Sequence, residues 1–443
     1  MPRRSRPFNT RSTTSTTTGN SLQRTIEERP VKRVVVTGLG SINPCGHTVE
    51  ETWRSVTAGR SGIGTITAFD ASEWPVRIAG QVNDWDGQEI LGRRSFKRMD
   101  RFMQFALVSA NEAIADAGLE PGEDGLGDRA GVFVGSGIGG LAELVKGASD
   151  IEESGWKGLS PFFIPKVLTN LAAGQIAMAV GARGPSLCVS TACATGNHSI
   201  GEALRTIRAG DADLIIAGGA EASILPMGIG GFMVMKALSK RNDDPERASR
   251  PFDAERNGFV MGEGAGIVVL ESLEHAQARG ARIYCELSGY GITNDAHHIT
   301  QPSPGHAGAV RCMNQALASA QLSPEDVTYV NAHGTSTHAN DLNESIGIRT
   351  VFGDHADKLM VSSTKSMTGH LLGAAGGLEA VLTAMSIYKN TVLPTSTLEN
   401  PGEGCDLDYV PGQARQAQID AALSNAFGFG GTNAALVFQR FTD

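Results

Sequence analysis

Three stretches of this sequence combine side chains that can do nucleophilic chemistry. The first is Pro185-Ser-Leu-Cys-Val-Ser-Thr-Ala-Cys193-Ala-Thr-Gly-Asn-His198, a short apolar run that turns with a thiol at the turn. Beyond it Ile200, Leu204 and Ile207 recur at helical spacing, which predicts a helix over 194–209 with Cys193 at its N-terminus. Unpaired N–H groups and the helix dipole there favour a thiolate and can hold an oxyanion. The second stretch, Asn331-Ala-His333-Gly-Thr335-Ser-Thr337, sets a histidine between an apolar strand and a loop of small residues. The third, Ser363-Thr-Lys365-Ser-Met-Thr-Gly-His370, adds a lysine and a second histidine. One cysteine and two histidines, each at the C-terminal end of a predicted strand, supply a nucleophile with two neutral hydrogen-bond partners. That combination points to acyl transfer through a thioester.

Blander readings exist for each residue. Buried cysteines are mostly core filler, and Cys45, Cys188, Cys285, Cys312 and Cys405 are read that way. His47, His275, His306 and His355 are read as ordinary core or surface histidines. Lys365 is either a positive charge near a thiolate or enolate, or a solvated loop lysine. Glu379 lies roughly two and a half turns beyond His370, on about the opposite side of its helix, and reads as a partner for some nearby donor. Gly135-x-Gly137-x-x-Gly140 matches a dinucleotide fingerprint, but the acid-bearing strand it needs does not follow, so it reads as a tight turn. Gly428-Phe429-Gly-Gly-Thr432 lacks the lysine of a phosphate loop and more plausibly lets a backbone amide face the thiol.

The elements that must position these residues alternate strand and helix from Val31 onward. Short apolar strands bounded by glycine are expected at 34–36, 131–134, 187–189, 214–217 and 266–270, then at 283–287, 327–330, 359–361 and 434–438. The repeated rhythm suggests a duplication, with one half over 31–280 carrying the thiol and another over 281–443 carrying the histidines. The expected fold class is α/β, and the reactive side chains all fall at strand exits, where such sheets bind ligands.

Composition excludes other classes. The chain has 443 residues, 41% of them hydrophobic, enough for a large core. Its net charge of −9 argues against nucleic acid as a partner. No apolar run is long enough for a membrane span. The six cysteines are scattered, which argues against a disulfide framework and against a metal site. Residues 1–30 are Arg- and Ser/Thr-rich with no acid before Glu27, and read as a disordered extension on a cytoplasmic protein. The alternative is a transit peptide to a mitochondrion or plastid. Arg93, Arg94, Lys97, Arg98 and Arg101 form a basic cluster. The spacing 94, 97, 98, 101 predicts one helical face, either merely solvated or a docking surface.

Taken together these motifs resemble the thiolase superfamily, and within it the elongating, type II β-ketoacyl-acyl-carrier-protein synthases. The likeness runs from about Val34 to Phe438 and includes Ser-Thr-Ala-Cys-Ala-Thr-Gly (190–196), Gly-Gly-Ala-Glu (218–221), Arg-Pro-Phe-Asp (250–253) and Phe-Gly-Phe-Gly-Gly-Thr-Asn (427–433). It departs at His338 and Asn340, where the family commonly has Pro and Gly. The resemblance implies duplicated halves in a layered α-β-α-β-α architecture. It implies that Cys193 takes the acyl group from acyl carrier protein, with backbone amides of Cys193 and Phe429 as oxyanion hole. His333 and His370 would stabilise the enolate formed as a malonyl thioester loses CO2 in fatty-acid elongation. Lys365 would order the histidine pair and Glu379 would support Lys365. Thr335 and Thr337 would contact the phosphopantetheine arm, which arrives on the carrier, so no resident cofactor is expected. Phe429 would also gate the site, and Ile138 would limit the acyl pocket near a homodimer interface. Lys97, Arg98 and Arg101 would dock the carrier. Two alternatives stay open: a ketosynthase of a polyketide pathway, and an inactive scaffold subunit.

Overall fold

Ten strands form a single sheet in the computed structural model, which describes residues 32–442. The expected N-terminal extension therefore lies outside the described residues. In chain order the strands are β1 Val34–Ile42, β2 Ala130–Gly135, β3 Ser186–Leu187, β4 Leu214–Glu221 and β5 Gly264–Ser272. They continue with β6 Cys285–Asn294, β7 Tyr329–Asn331, β8 Met360–Ser362, β9 Ala421–Gly428 and β10 Thr432–Gln439. Outward from a central seam the order is β1-β5-β4-β2-β3 on one side and β6-β10-β9-β7-β8 on the other. Adding five to each label of the first series gives the second. The pairing directions repeat too: β4–β2–β3 and β9–β7–β8 are parallel, and the remaining pairs antiparallel.

The seam itself is slight, pairing only Val35 with Glu286 and Val36 with Cys285. Two helices, α3 Thr195–Ala209 and α6 Ala375–Lys389, lie between the halves. The first packs on β4 and β2 and also on β10 and β6; the second packs on β5 and β4 and also on β9. Helices α1 Arg101–Asp116 and α2 Leu171–Val180 cover the outer face of the first half, and α4 Ala307–Ala320 and α5 His338–Phe352 that of the second. The layers run helix, sheet, helix, sheet, helix, as expected.

The central layer explains part of the glycine content. A Cβ on Gly196 of α3 would run into the backbone of Gly376 and Gly377 of α6, so the two helices touch main chain to main chain. Tight contact without side chains lets one layer serve two sheets.

Several local expectations need correction. The strand before Cys193 is only Ser186–Leu187, and the strand Ala421–Gly428 was not anticipated. Its sequence, Ala-Ala-Leu-Ser-Asn-Ala-Phe-Gly, interleaves small polar residues with apolar ones and is buried nearly throughout. The basic cluster does not form one helical face. A four-residue helix, Arg93–Phe96, ends at Lys97, and Asp100 then caps a new helix through its side chain on Phe102 N. A capping carboxylate restarts the helix and breaks the spacing on which the expectation rested.

Candidate active site

The candidate nucleophile and the residues expected beside it sit where the carboxyl ends of the parallel strands of both halves converge. Cys193 follows β3, Ile138 follows β2, and Glu221 ends β4; His333 follows β7, Lys365 and His370 follow β8, and Phe429 follows β9. The duplication extends to the turns. Cys193 is the middle residue of the 3₁₀ turn Ala192–Ala194, which leads straight into α3. Gly373 is the middle residue of the matching turn Leu372–Ala374, which leads into α6. Both turns start from a non-glycine residue in the left-handed region, Ala192 (φ +49°) and Leu372 (φ +52°). Such strain is held only where the surroundings over-determine it.

Those surroundings are visible at Cys193. Thr191 N donates to Thr195 Oγ1 (2.9 Å), Thr191 Oγ1 meets His198 Nδ1 (2.7 Å), and Thr432 Oγ1 donates to Thr191 O (3.1 Å). The last bond ties the cysteine turn to the 428–432 turn, where Gly430 and Gly431 take φ of +84° and +72°. Phe429 is carried on that turn, with its ring tilted over Phe232 at 6.3 Å between centroids.

Cys193, His333, His370, Thr335, Thr337 and Phe429 line one cavity of about 330 Å³. The two imidazoles stand edge to face, 5.4 Å apart and 86° between planes. Each is fixed from its backbone. Glu344 of α5 accepts from His333 N (2.8 Å) and Gly334 N (2.7 Å) through its two oxygens. His370 N donates to Val260 O at 2.7 Å, and His370 O accepts from Gly262 N at 2.8 Å. The Nδ1 atoms of both rings are buried without a protein partner.

Lys365 is fully buried and forms an ion pair with Glu379 behind the cavity wall. This decides the reading of Lys365 against a solvated loop lysine, and it identifies the donor that Glu379 was expected to meet. Burial first, and then the Lys365 charge, hold both His333 and His370 well below the usual histidine pKa. Both are therefore neutral near pH 7, and each can donate one N–H. Burial also pushes Glu379 up, against the pull of Lys365.

The helix N-terminus expected to favour a thiolate does not by itself decide the protonation of Cys193. Burial pushes the Cys193 thiol up to about 12, and Lys365, which pulls it down, does not offset this. The helix N-terminus is present as expected, but desolvation of the sulfur outweighs it.

Ile138 is not part of the cavity wall. It packs in the apolar cluster that holds Cys193, Ile224, Ile229 and Leu372. What fixes it is Glu221, a carboxylate quoted in the motif 218–221 but given no role by the sequence reading. Its oxygens accept from Ser136 Oγ (3.0 Å), Gly137 N (2.9 Å), Ile138 N (3.2 Å) and Gly373 N (3.1 Å). Glu344 was missed as well. Glu221 is an acid buried in an otherwise apolar or small-residue strand, which is the signal that could have found it; Glu344 sits in a polar helix that carries no such signal. His306, read as ordinary, also lines the cavity.

Of the basic cluster, Arg93, Arg94, Lys97 and Arg98 are exposed. Arg101 is part-exposed but bonded to Glu263 and to Val82 O (both 2.9 Å) and packed over the rings of Trp85 and Phe105. It is committed within the fold and is removed from the docking set. Arg98 lies over the Phe162 ring.

Residues 31–276 match the family model of the beta-ketoacyl synthase N-terminal domain, and residues 284–399 that of the C-terminal domain. The 3-oxoacyl-[acyl-carrier-protein] synthase 2 of Coxiella burnetii is 51% identical, covering 93% of this chain and 99% of its own. The protein of the same description from Synechocystis is 52% identical, covering 93% and 98%. Among solved structures, a type II PKS acyl-carrier protein in complex with its ketosynthase bound to the hexaketide matches with a TM-score of 0.86 and 37% identity, over 93% of this chain and all of that one.

Proposed function

The chain belongs to the β-ketoacyl synthase family, and on that premise we propose that it is a 3-oxoacyl-[acyl-carrier-protein] synthase that elongates fatty acids by decarboxylative condensation. The observation that carries the mechanism is the single cavity holding Cys193 beside two neutral, edge-on imidazoles backed by a buried lysine. Cys193 Sγ attacks the acyl thioester, with the thiol proton leaving as the C–S bond forms and the carrier departing as a free thiol. The backbone N–H groups of Cys193 and Phe429 face the oxyanion. A malonyl thioester then enters beside His333 and His370. Their N–H groups stabilise its thioester oxygen as the C–C bond to the carboxylate breaks and CO2 departs. The carbanion attacks the acyl-Cys193 carbonyl, and collapse of the adduct expels the cysteine sulfur, which regains a proton. Lys365 acts through the histidines, its charge adding to the burial that holds them neutral, and Glu379 keeps Lys365 in place. Thr335 and Thr337, whose hydroxyls lie 3.0 Å apart on the cavity wall, contact the phosphopantetheine arm. The arm travels with the carrier protein, so the reaction draws on no resident cofactor.

The experiment is condensation of an acyl carrier thioester with malonyl carrier thioester by the purified protein, reading 3-oxoacyl product and CO2. Cys193→Ala is expected to abolish the product while the fold persists. His333→Ala and His370→Ala are each expected to slow CO2 release by about 10²-fold or more, the worth of one oxyanion donor. Product from Cys193→Ala, or normal CO2 release from both histidine variants, would overturn the assignment. The likeness to a polyketide ketosynthase at 37% identity keeps a polyketide substrate as the second reading. Competition between fatty acyl and polyketide carrier thioesters separates the two.

The functional unit is proposed to be a homodimer. Strand β3 ends the sheet with β2 on one side only, and both of its residues are exposed. Leu187 of this strand and Met178 of α2, which packs against it, are exposed, as are Ile151, Trp156 and Ile164 earlier in the chain. An unpaired strand edge with an apolar flank is a ready interface. A monomer mass by sedimentation at micromolar concentration would count against it. The six free thiols fit a reducing compartment, the cytoplasm.

A further inference from the structure

Thr191 is the point where the two turns that carry the oxyanion-hole amides meet. Its carbonyl accepts from Thr432 Oγ1 of the 428–432 turn and from Ala194 N of the cysteine turn, both at 3.1 Å. A Cβ on Gly428 would lie 2.6 Å from the same oxygen, so the two turns touch main chain to main chain beside Phe429. Cys193 follows Thr191 by two residues, across Ala192 with its strained φ of +49°. A small rotation at Thr191 therefore moves the Cys193 N–H relative to the Phe429 N–H.

One buried side chain holds the Thr191 hydroxyl. His198, in the first turn of α3, is 3% exposed and brings Nδ1 to 2.7 Å from Thr191 Oγ1. Its Nε2 is buried without a protein hydrogen bond. The ring stands edge to face with Tyr290 at 6.3 Å between centroids and lies against the backbone of Asn433. Burial lowers its pKa to about 4, so near pH 7 the ring is neutral, with one nitrogen a donor and the other an acceptor. It is not part of the cavity wall. A buried imidazole with an unpaired nitrogen is costly where an apolar side chain would pack without that loss. What the imidazole supplies is its bond to the hydroxyl that fixes the cysteine turn.

We propose that His198 is a positioning residue for acyl transfer. Through Thr191 it holds the cysteine turn against the 428–432 turn, so that the Cys193 and Phe429 amides converge on one oxyanion. It does not touch substrate, and His333 and His370 act on the malonyl thioester without it. This rests on the condensing-enzyme reading of the cavity.

The test separates the two half-reactions in the full-length protein. Uptake of an acyl group by Cys193 from an acyl-pantetheine is read by intact-mass spectrometry. CO2 release is read with malonyl-pantetheine and no acyl donor. His198→Ala is expected to lower the saturating acylation rate at least about tenfold, because a displaced oxyanion donor approaches the cost of a lost one. The concentration for half-saturation should not change, since the oxyanion exists only past the ground state. CO2 release should stay within about twofold of the parent, as the histidine pair is untouched. Alkylation of Cys193 by iodoacetamide, which forms no oxyanion, should stay within about twofold as well. His198→Asn, whose amide puts a polar atom near the place of Nδ1, should recover acylation to within about threefold of the parent. Thr191→Val removes the hydroxyl and keeps the imidazole; it should show the same split, and the double variant no further loss. Equal losses of acylation, CO2 release and alkylation would mean a role in folding alone and overturn the inference. Unchanged acylation in His198→Ala, or additive losses in the double variant, would overturn it too. If the parent protein took up no acyl group and released no CO2, the condensing reading itself would fall, and this inference with it.

Discussion

At the scale of single residues, protonation is set by burial more than by neighbours. Cys193 starts a helix, which lowers a thiol pKa, yet desolvation takes it to about 12. The histidines shift the other way for the same reason, and the Lys365 charge adds to it. The free enzyme thus rests as thiol and neutral imidazoles, a state that waits for substrate instead of reacting with stray electrophiles. The thiolate fraction of a group far above neutrality grows with each pH unit. Alkylation of Cys193 by iodoacetamide is therefore expected to accelerate about tenfold per pH unit between pH 6 and 9. Mass spectrometry of timed samples reads the rate. A plateau below pH 8 would show that the helix terminus and Lys365 outweigh burial after all.

At the scale of elements, two buried carboxylates act as clamps, Glu344 within the second half and Glu221 across the two halves. Glu344 reaches from α5 to the backbone of the His333 loop, and Glu221 reaches from the end of β4 to Gly137, Ile138 and Gly373. Glu221 therefore joins the Ile138 loop of one half to the turn beyond His370 in the other. A Cβ on Gly137 would lie 2.7 Å from Glu221 Oε2, so the loop can close on the carboxylate only as glycine. Glu221→Gln turns one acceptor into a donor that faces N–H groups. Leu372, which lines the cavity and packs in one cluster with Cys193 and Ile138, should shift with it. The expected result is an altered acyl-length profile: the ratio of rates on long and short acyl carriers moves roughly tenfold, the scale of misfit in an apolar pocket. A uniform loss at every chain length would mean that Glu221 only holds the fold.

At the scale of the whole molecule, a chain of net charge −9 presents Arg93, Arg94, Lys97 and Arg98 to solvent in one short segment. Acyl carrier proteins are acidic in the resemblance the sequence carries, and a steering patch of opposite sign raises encounter rate more than affinity. Reversing Lys97 and Arg98 to Glu should lower kcat/KM for carrier-borne substrates at least tenfold at low salt, with the gap narrowing as salt is added. Slow acylation by a small thioester should be spared. Equal loss with both substrates would point to damage at the site. Arg101 does not belong in that test, because its charge is spent on Glu263.

The sequence by itself determined the reactive set and the architecture. Cys193, His333, Lys365 and His370 each stand in a short motif at a strand exit, and strand rhythm needs only local apolar periodicity to be seen. Helix over 194–209 was legible for the same reason. What it could not reveal depends on groups far apart in the chain. The grip of Glu221 on Gly373 forms only when strand exits of both halves meet, and the Lys365–Glu379 pair and the His306 and His333 rings against Phe427 form only when the second half has folded. The strand Ala421–Gly428 was hidden because burial on both faces there comes from its neighbours, not from an alternating pattern. The break after Lys97 turns on one capping carboxylate, Asp100. The thiol's protonation was decided last and only in three dimensions, because desolvation is a property of everything packed around the sulfur and of nothing written beside it.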